Sequence, residues 1–163
     1  LPKIKAVPGR MQWFRHPSGA SAVVDFAHTP DALQQVLKTL RPLCQGELRC
    51  VFGCGGDRDA SKREVMGQMA AAIADKIWIT NDNPRTESPE KIAESVRHGC
   101  GDHPAVQIEL DRGKAIAAAL TTVGAHDIIL VAGKGHEIEQ IIGTTKQEFS
   151  DIECVRSLCN EGV

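Results

Sequence analysis

The feature that most constrains this chain is a repeated alternation. Short apolar runs rich in β-branched residues give way, again and again, to helical spacing. Residues 22–25 close the first run, and Leu33, Val36, Leu37 and Leu40 follow at i, i+3, i+4 and i+7. Thr29-Pro30-Asp31 gives that helix a cap, a first-turn proline and an acid near the positive end of its dipole. Residues 48–52 read as the next strand. Ser61-Lys62-Arg63-Glu64 then reads as a capping box, with Val65, Met69 and Ile73 as the apolar stripe of the helix it opens. Residues 76–80, 105–110 and 127–132 read as further strands. The last is continuously apolar, as expected when both faces are covered. Ser88-Pro89-Glu90 opens a helix holding Ile92 and Val96, and Asp111 caps one carrying Ile116, Leu120 and Val123.

This pattern predicts an α/β fold, Rossmann-like, with a mostly parallel sheet and helices on both faces. Residues 11–15 are expected to pair with the first strand across Pro17-Ser18-Gly19, adding one antiparallel edge strand. Residues 138–142 and 146–149 read as a hairpin across Gly143-Thr144-Thr145, before a short final helix over 151–158. With 163 residues and no internal repeat, low-complexity stretch or long linker, the chain reads as one domain, 1–163.

Composition narrows the function. Nineteen Lys and Arg against 21 Asp and Glu give a net charge of −2, which excludes a generic nucleic-acid coat. No apolar run approaches the ~18 residues of a membrane span. No basic, then apolar, leader opens the chain, so a cytoplasmic location is expected. The opening residue is Leu1 rather than Met, as in a processed product or a piece of something longer. The six cysteines contain no Cys-x-x-Cys pair, which leaves a zinc site unsupported and favours reduced, buried thiols. No metal ligands are assigned.

The unusual polar residues gather after four of the strands: Asp25-Phe26-Ala27-His28-Thr29-Pro30, residues 53–59, residues 81–87, and Gly133-Lys134-Gly135-His136-Glu137. In a parallel sheet all four lie along the carboxyl rim, where open α/β sheets bind ligands. The glycines of 53–59 allow close approach to backbone N–H groups, although neither common nucleotide fingerprint is matched. Arg58, Lys62 and Arg63 oppose the dipole of the following helix, a cost that an anionic ligand would offset. Asn81-Asp82-Asn83-Pro84 makes turns unaided, but Arg85 has no duty there unless it clamps a carboxylate. Glu87 reads as an acid near a helix start. Gly133–Glu137 is weak as a phosphate loop and plausible as a carrier of one carboxylate, Glu137. His28 is readable as locally satisfied, and Asp25 as a cap, an ion-pair partner or a ribose ligand. Arg10 has no structural duty legible in the sequence.

Taken in order, these segments resemble the C-terminal domain of the Mur ligases, the ATP-dependent amide-bond-forming ligases of peptidoglycan synthesis, and cover almost the whole chain. The marks are Asp25–Pro30, Gly55-Gly56-Asp57-Arg58-Asp59, Asp82-Asn83-Pro84-Arg85 and Gly133–Glu137. The resemblance is strongest to the branch that adds meso-diaminopimelate to UDP-MurNAc-L-Ala-D-Glu. It implies that Arg58, Asp82, Asn83, Pro84, Arg85, Gly133 and Glu137 hold the diaminopimelate. It places Arg10, Asp25 and His28 near the nucleotide. Two departures stand out: Phe26 replaces the usual Tyr, and Glu64 stands where a proline is common.

The resemblance further implies an acyl-phosphate route. The Walker loop and Mg²⁺ ligands would lie in a central domain, with UDP binding further N-terminal. Both domains are absent from this chain, so it is expected to hold no catalytic residue of its own and not to turn over alone. Partners then are diaminopimelate, ATP, the UDP-MurNAc-dipeptide and the other domains, with roles in cell-wall biogenesis, cell shape and division. Lysine lacks the distal carboxylate and would leave a buried guanidinium unpaired, for an expected discrimination of about 10²–10³ or more. Two other readings remain: a non-catalytic Rossmann-like module binding a nucleotide or amino acid, and a folylpolyglutamate synthase-like domain.

Overall fold

In the computed structural model, residues 7–161 are described. The strands of the main sheet are β1 (Gln12–Arg15), β2 (Ser21–Asp25), β3 (Leu48–Phe52), β4 (Lys76–Ile79), β5 (Val106–Ile108), β6 (Ile128–Ala132) and, last in the chain, β9 (Asn160–Glu161). A separate hairpin pairs β7 (Glu139–Ile142) with β8 (Thr145–Glu148). The helices are α1 (Pro30–Leu40), α2 (Lys62–Ile73), α3 (Pro89–Gly99), α4 (Arg112–Ala119) and α5 (Asp151–Leu158).

The main sheet runs β5-β4-β3-β6-β2-β1-β9. The five strands from β5 to β2 are parallel, and β1 is antiparallel to both its neighbours. The expected antiparallel strand is therefore present but is not the edge, because the two-residue β9 pairs outside it. Strands β3 and β6 are buried along their whole length. Alternate residues explain why: Cys50 and Phe52 join the core layer under α1, α2 and α3, while Val51 joins the layer under α4 and α5. The chain reverses its direction of travel across the sheet between β3 and β6, which is the point where such sheets hold ligands.

Caps at Thr29, Ser88 and Asp111 form as their residue types dictate, each side chain accepting a backbone N–H of the first turn. The capping box at Ser61 does not form. Ser61 sits in helical geometry, and its hydroxyl donates to Asp59 instead, while Glu64 pairs with His98. The buried stripe of α2 is also rotated from the expected Val65, Met69 and Ile73 to Arg63, Met66, Gly67 and Ala70. Gly67 is the cause. A Cβ there would sit 2.1 Å from the Val96 carbonyl oxygen, so the bare glycine lets α2 and α3 approach along that face. All six cysteines are free, and five are buried.

Candidate functional site

Two rim loops, 53–59 and 81–87, are joined to each other by backbone. The Gly56 N–H donates to Asn83 O at 2.8 Å, and a Cβ on Gly56 would lie 1.8 Å from Pro84 O. Asp57, with φ +54°, turns its carboxylate onto the N–H and hydroxyl of Thr86. Those bonds to Thr86 hold its pKa below the ordinary value. Glu87 accepts from Asp57 N at 2.8 Å and from the buried Arg63 at 3.0 Å, contacts that depress its pKa, Arg63 first. Two sequence expectations change here. Arg63 faces inward as a structural partner rather than toward a ligand, and Glu87 is the acid that neutralises it.

The Asn81–Glu87 segment leans on the hairpin. Arg85 N donates to Ile141 O at 3.1 Å, and Gly143 N donates to Arg85 O at 2.7 Å. Gln140, buried, donates its side-chain amide to Asp82 O at 2.9 Å and Asn81 O at 3.3 Å. These bonds let Arg85 hold φ +52°, a left-handed backbone that costs a non-glycine residue roughly 1–2 kcal/mol. From behind, Arg112 donates to Asn81 O and Ala132 O, the carbonyls just before the two site loops.

Between the loops lies a cleft of about 280 Å³. Its lining includes Arg58, Asp82, Asn83, Arg85, Gly133 and Glu137, so one hollow gathers six of the seven residues expected to hold an amino acid. The seventh, Pro84, does not line it but buttresses Gly56. Arg58 is exposed, with one guanidinium nitrogen on Asp57 O at 3.0 Å. Arg85 is half-buried and bonds Gly56 O at 2.9 Å through Nη1 alone. Glu137 is half-buried and, among the described residues, its carboxylate has no hydrogen-bond donor.

Phe26 and His28 also line the cleft, with ring centroids 4.6 Å apart. Arg10, exposed, lies 5.5 Å from the Phe26 ring centroid, so the ring present here offers a cation–π platform as a tyrosine would. Asp25 is set back. Its carboxylate accepts Met11 N at 2.9 Å and Ala27 N at 2.8 Å, pinning the Arg10 loop rather than facing the hollow.

Lys62, read from the sequence as one of the cations facing an anion, does line the cleft, whereas sequence reasoning missed Lys134, Gln140 and Cys54 as parts of this site. Lys134 belonged to a weak glycine-lysine-glycine pattern, and Gln140 gave no signal beyond a polar residue in a strand. A larger hollow of about 510 Å³ lies at the opposite end of the sheet, but its cations are already paired. Arg49 bonds Glu47 and three carbonyls, and Lys76 meets Glu47.

A doubly covered, mostly parallel sheet with a two-signed cleft at its reversal point is a Rossmann-like α/β architecture. Residues 9–135 match the family model "Mur ligase, glutamate ligase domain", and the chain belongs to that family. Its relatives include UDP-N-acetylmuramoyl-L-alanyl-D-glutamate–2,6-diaminopimelate ligase of Synechococcus elongatus, 49% identical across 96% of this chain and 32% of the relative. The corresponding ligase of Coxiella burnetii is 48% identical across 94% of this chain and 31% of the relative. A solved structure of a ligase of the same name superposes with TM-score 0.87 at 45% identity, covering 96% of this chain and 32% of that one. A bifunctional folylpolyglutamate synthase/dihydrofolate synthase, at TM-score 0.62 and 22% identity, shares the fold over 80% of this chain and 29% of its own. The chain thus spans about a third of the length of the relatives it matches.

Proposed function

We propose that this domain receives meso-diaminopimelate in an ATP-dependent ligase that joins it to UDP-MurNAc-L-Ala-D-Glu. The observation that carries the reading is the sign pattern of the cleft: Arg58 and Arg85 beside Asp82 and Glu137 around one 280 Å³ hollow. Diaminopimelate has an ammonium and a carboxylate at each end, and a site of both signs matches one such end. Arg58 and Arg85 take the distal carboxylate, and Glu137 the distal ammonium. The other amine is then left facing the activated glutamyl carboxyl, which it attacks with loss of phosphate.

Arg10, Phe26 and His28 form the nucleotide side, an exposed cation and two rings beside the same cleft. Asp25 acts there by holding the Arg10 loop. Among the described residues no group of three or more His, Cys, Asp or Glu side chains comes together to hold a metal ion. ATP, through Mg²⁺ held mainly elsewhere in the polypeptide, supplies the phosphoryl group that activates the carboxyl. The isolated chain is accordingly expected not to turn over, and the complete enzyme to work in the cytoplasm in peptidoglycan synthesis. Among the described residues no helix is long and apolar enough to cross a membrane.

Discrimination against lysine is smaller than the sequence reading suggests. Arg85 is half-buried and keeps Gly56 O when the ligand carboxylate is missing. A lost charge-assisted bond then costs about 1.5–3 kcal/mol, or roughly 10- to 100-fold. The test is steady-state kinetics of the complete enzyme with each amino acid. Arg85→Ala should raise the KM for diaminopimelate about 10- to 100-fold and narrow its advantage over lysine. Unchanged kcat/KM for both substrates rejects the reading.

A further inference from the structure

Lys134, in the rim loop after β6, is a cation that solvent does not reach: its side chain is 0% exposed. Its Nζ donates to Asn83 Oδ1 at 3.2 Å and lies 3.6 Å from Asp82 Oδ1. Asn83 Oδ1 also accepts the Ile141 N–H at 2.9 Å. A lysine ammonium and a backbone N–H can only donate. Both meet the same atom of the Asn83 amide, so the network assigns that atom as oxygen and leaves no freedom to flip. The amide nitrogen is thereby turned the other way. Asn83 lines the cleft, and among the described residues Nδ2 has no acceptor.

From this geometry we propose that Lys134 is a positioning residue for substrate choice, acting through Asn83. It fixes the Asn83 amide so that the cleft presents an N–H₂ donor to a ligand carboxylate. With Lys134 in place, neighbouring residues offer opposite functions: Asp82 an acceptor for an ammonium, Asn83 a donor for a carboxylate. Without it the amide is held on one side by Ile141 N alone and can present its oxygen, which repels the carboxylate. The buried Asp82 Oδ1, which has no hydrogen-bond donor, would also lose its nearby cation. This inference rests on the diaminopimelate reading above.

The test is a double-mutant cycle in the complete ligase. Wild-type kinetics come first: failure to use diaminopimelate removes the underlying reading, whatever Lys134 does. Given that activity, Lys134→Met should raise the KM for diaminopimelate about tenfold or more, with kcat and the KM for ATP little changed. In an Asn83→Ala background the same substitution should lose most of that effect. An undiminished effect in that background, or no KM effect in the wild-type background, overturns the proposal. Should Lys134→Met fail to fold, Asn83→Asp decides the matter. It keeps an oxygen toward Lys134 and Ile141 but turns a second oxygen to the ligand. It should therefore raise KM more than Asn83→Ala does. An equal or smaller effect overturns the assigned orientation.

Discussion

The Arg112 guanidinium and the Asp151 carboxylate meet in two parallel hydrogen bonds of 2.7 Å, and neither side chain is exposed to solvent. The pair joins α4 to α5, and the same guanidinium holds the strand ends that precede Asp82 and Gly133. One ion pair therefore sets the spacing of two site loops.

Breaking that pair strands a buried charge. Asp151→Ala and Arg112→Ala should each lower stability by about 3–5 kcal/mol. Replacing both together, by Leu and Met, should cost clearly less than either single change, since no charge is left unpaired. Urea denaturation of the four proteins checks the order.

Two glycines separate fold from site. Gly67→Ala forces a Cβ against Val96 O between helices, while Gly56→Ala forces one against Pro84 O between the site loops. Both should destabilise, by about 1–3 kcal/mol or more. In the complete ligase only Gly56→Ala should also raise the KM for diaminopimelate. Equal KM effects from the two would contradict the placement of the cleft.

Acid should loosen the loops before the core. Asp57 and Glu87 have folded pKa values below their ordinary 3.8 and 4.5, through Thr86 and Arg63 respectively. The folded state then binds fewer protons than the unfolded state in that range. The stability these contacts supply is complete above the ordinary values and is lost as pH falls through them toward the folded values. In melting curves from about pH 7 down to about pH 3, Glu87→Gln should sit below wild type at neutral pH. The gap should close at the acid end.

Cys54 lines the cleft yet should resist alkylation. Burial pushes its thiol up to about 12, and its sulfur packs 3.6 Å from that of Met66. Near pH 8 only about one molecule in 10⁴ carries the thiolate. Mass mapping after a short iodoacetamide pulse should find Cys154, the one cysteine that is not fully buried, labelled first. Labelling of Cys54 should require denaturant.

The sequence made the sheet legible because its signal is local: β6 announces itself by an unbroken apolar run, and three of the helices by the cap chemistry of Thr29, Ser88 and Asp111. It also placed the rim residues together, since topology alone brings the ends of β2, β3, β4 and β6 to one side. What it could not show depends on partners distant in the chain. Arg63 looked like a ligand cation because its partner, Glu87, lies 24 residues away. The Ser61 box failed because Asp59, two residues upstream, competed for the hydroxyl. Lys134 and Gln140 take their roles from Asn83 and Asp82, more than 50 positions away in the chain.

The hairpin of β7 and β8 belongs to neither core layer, yet it holds the backbone of Asn81–Arg85 through Gln140, Ile141 and Gly143. Scaffold and mould are thus separate parts of one chain. Drift within the hairpin can reshape the loop that lines the cleft without opening a void beneath the sheet. A new substrate preference is in this way open to inheritance as a cassette of about ten residues, while the seven-stranded frame stays as it is.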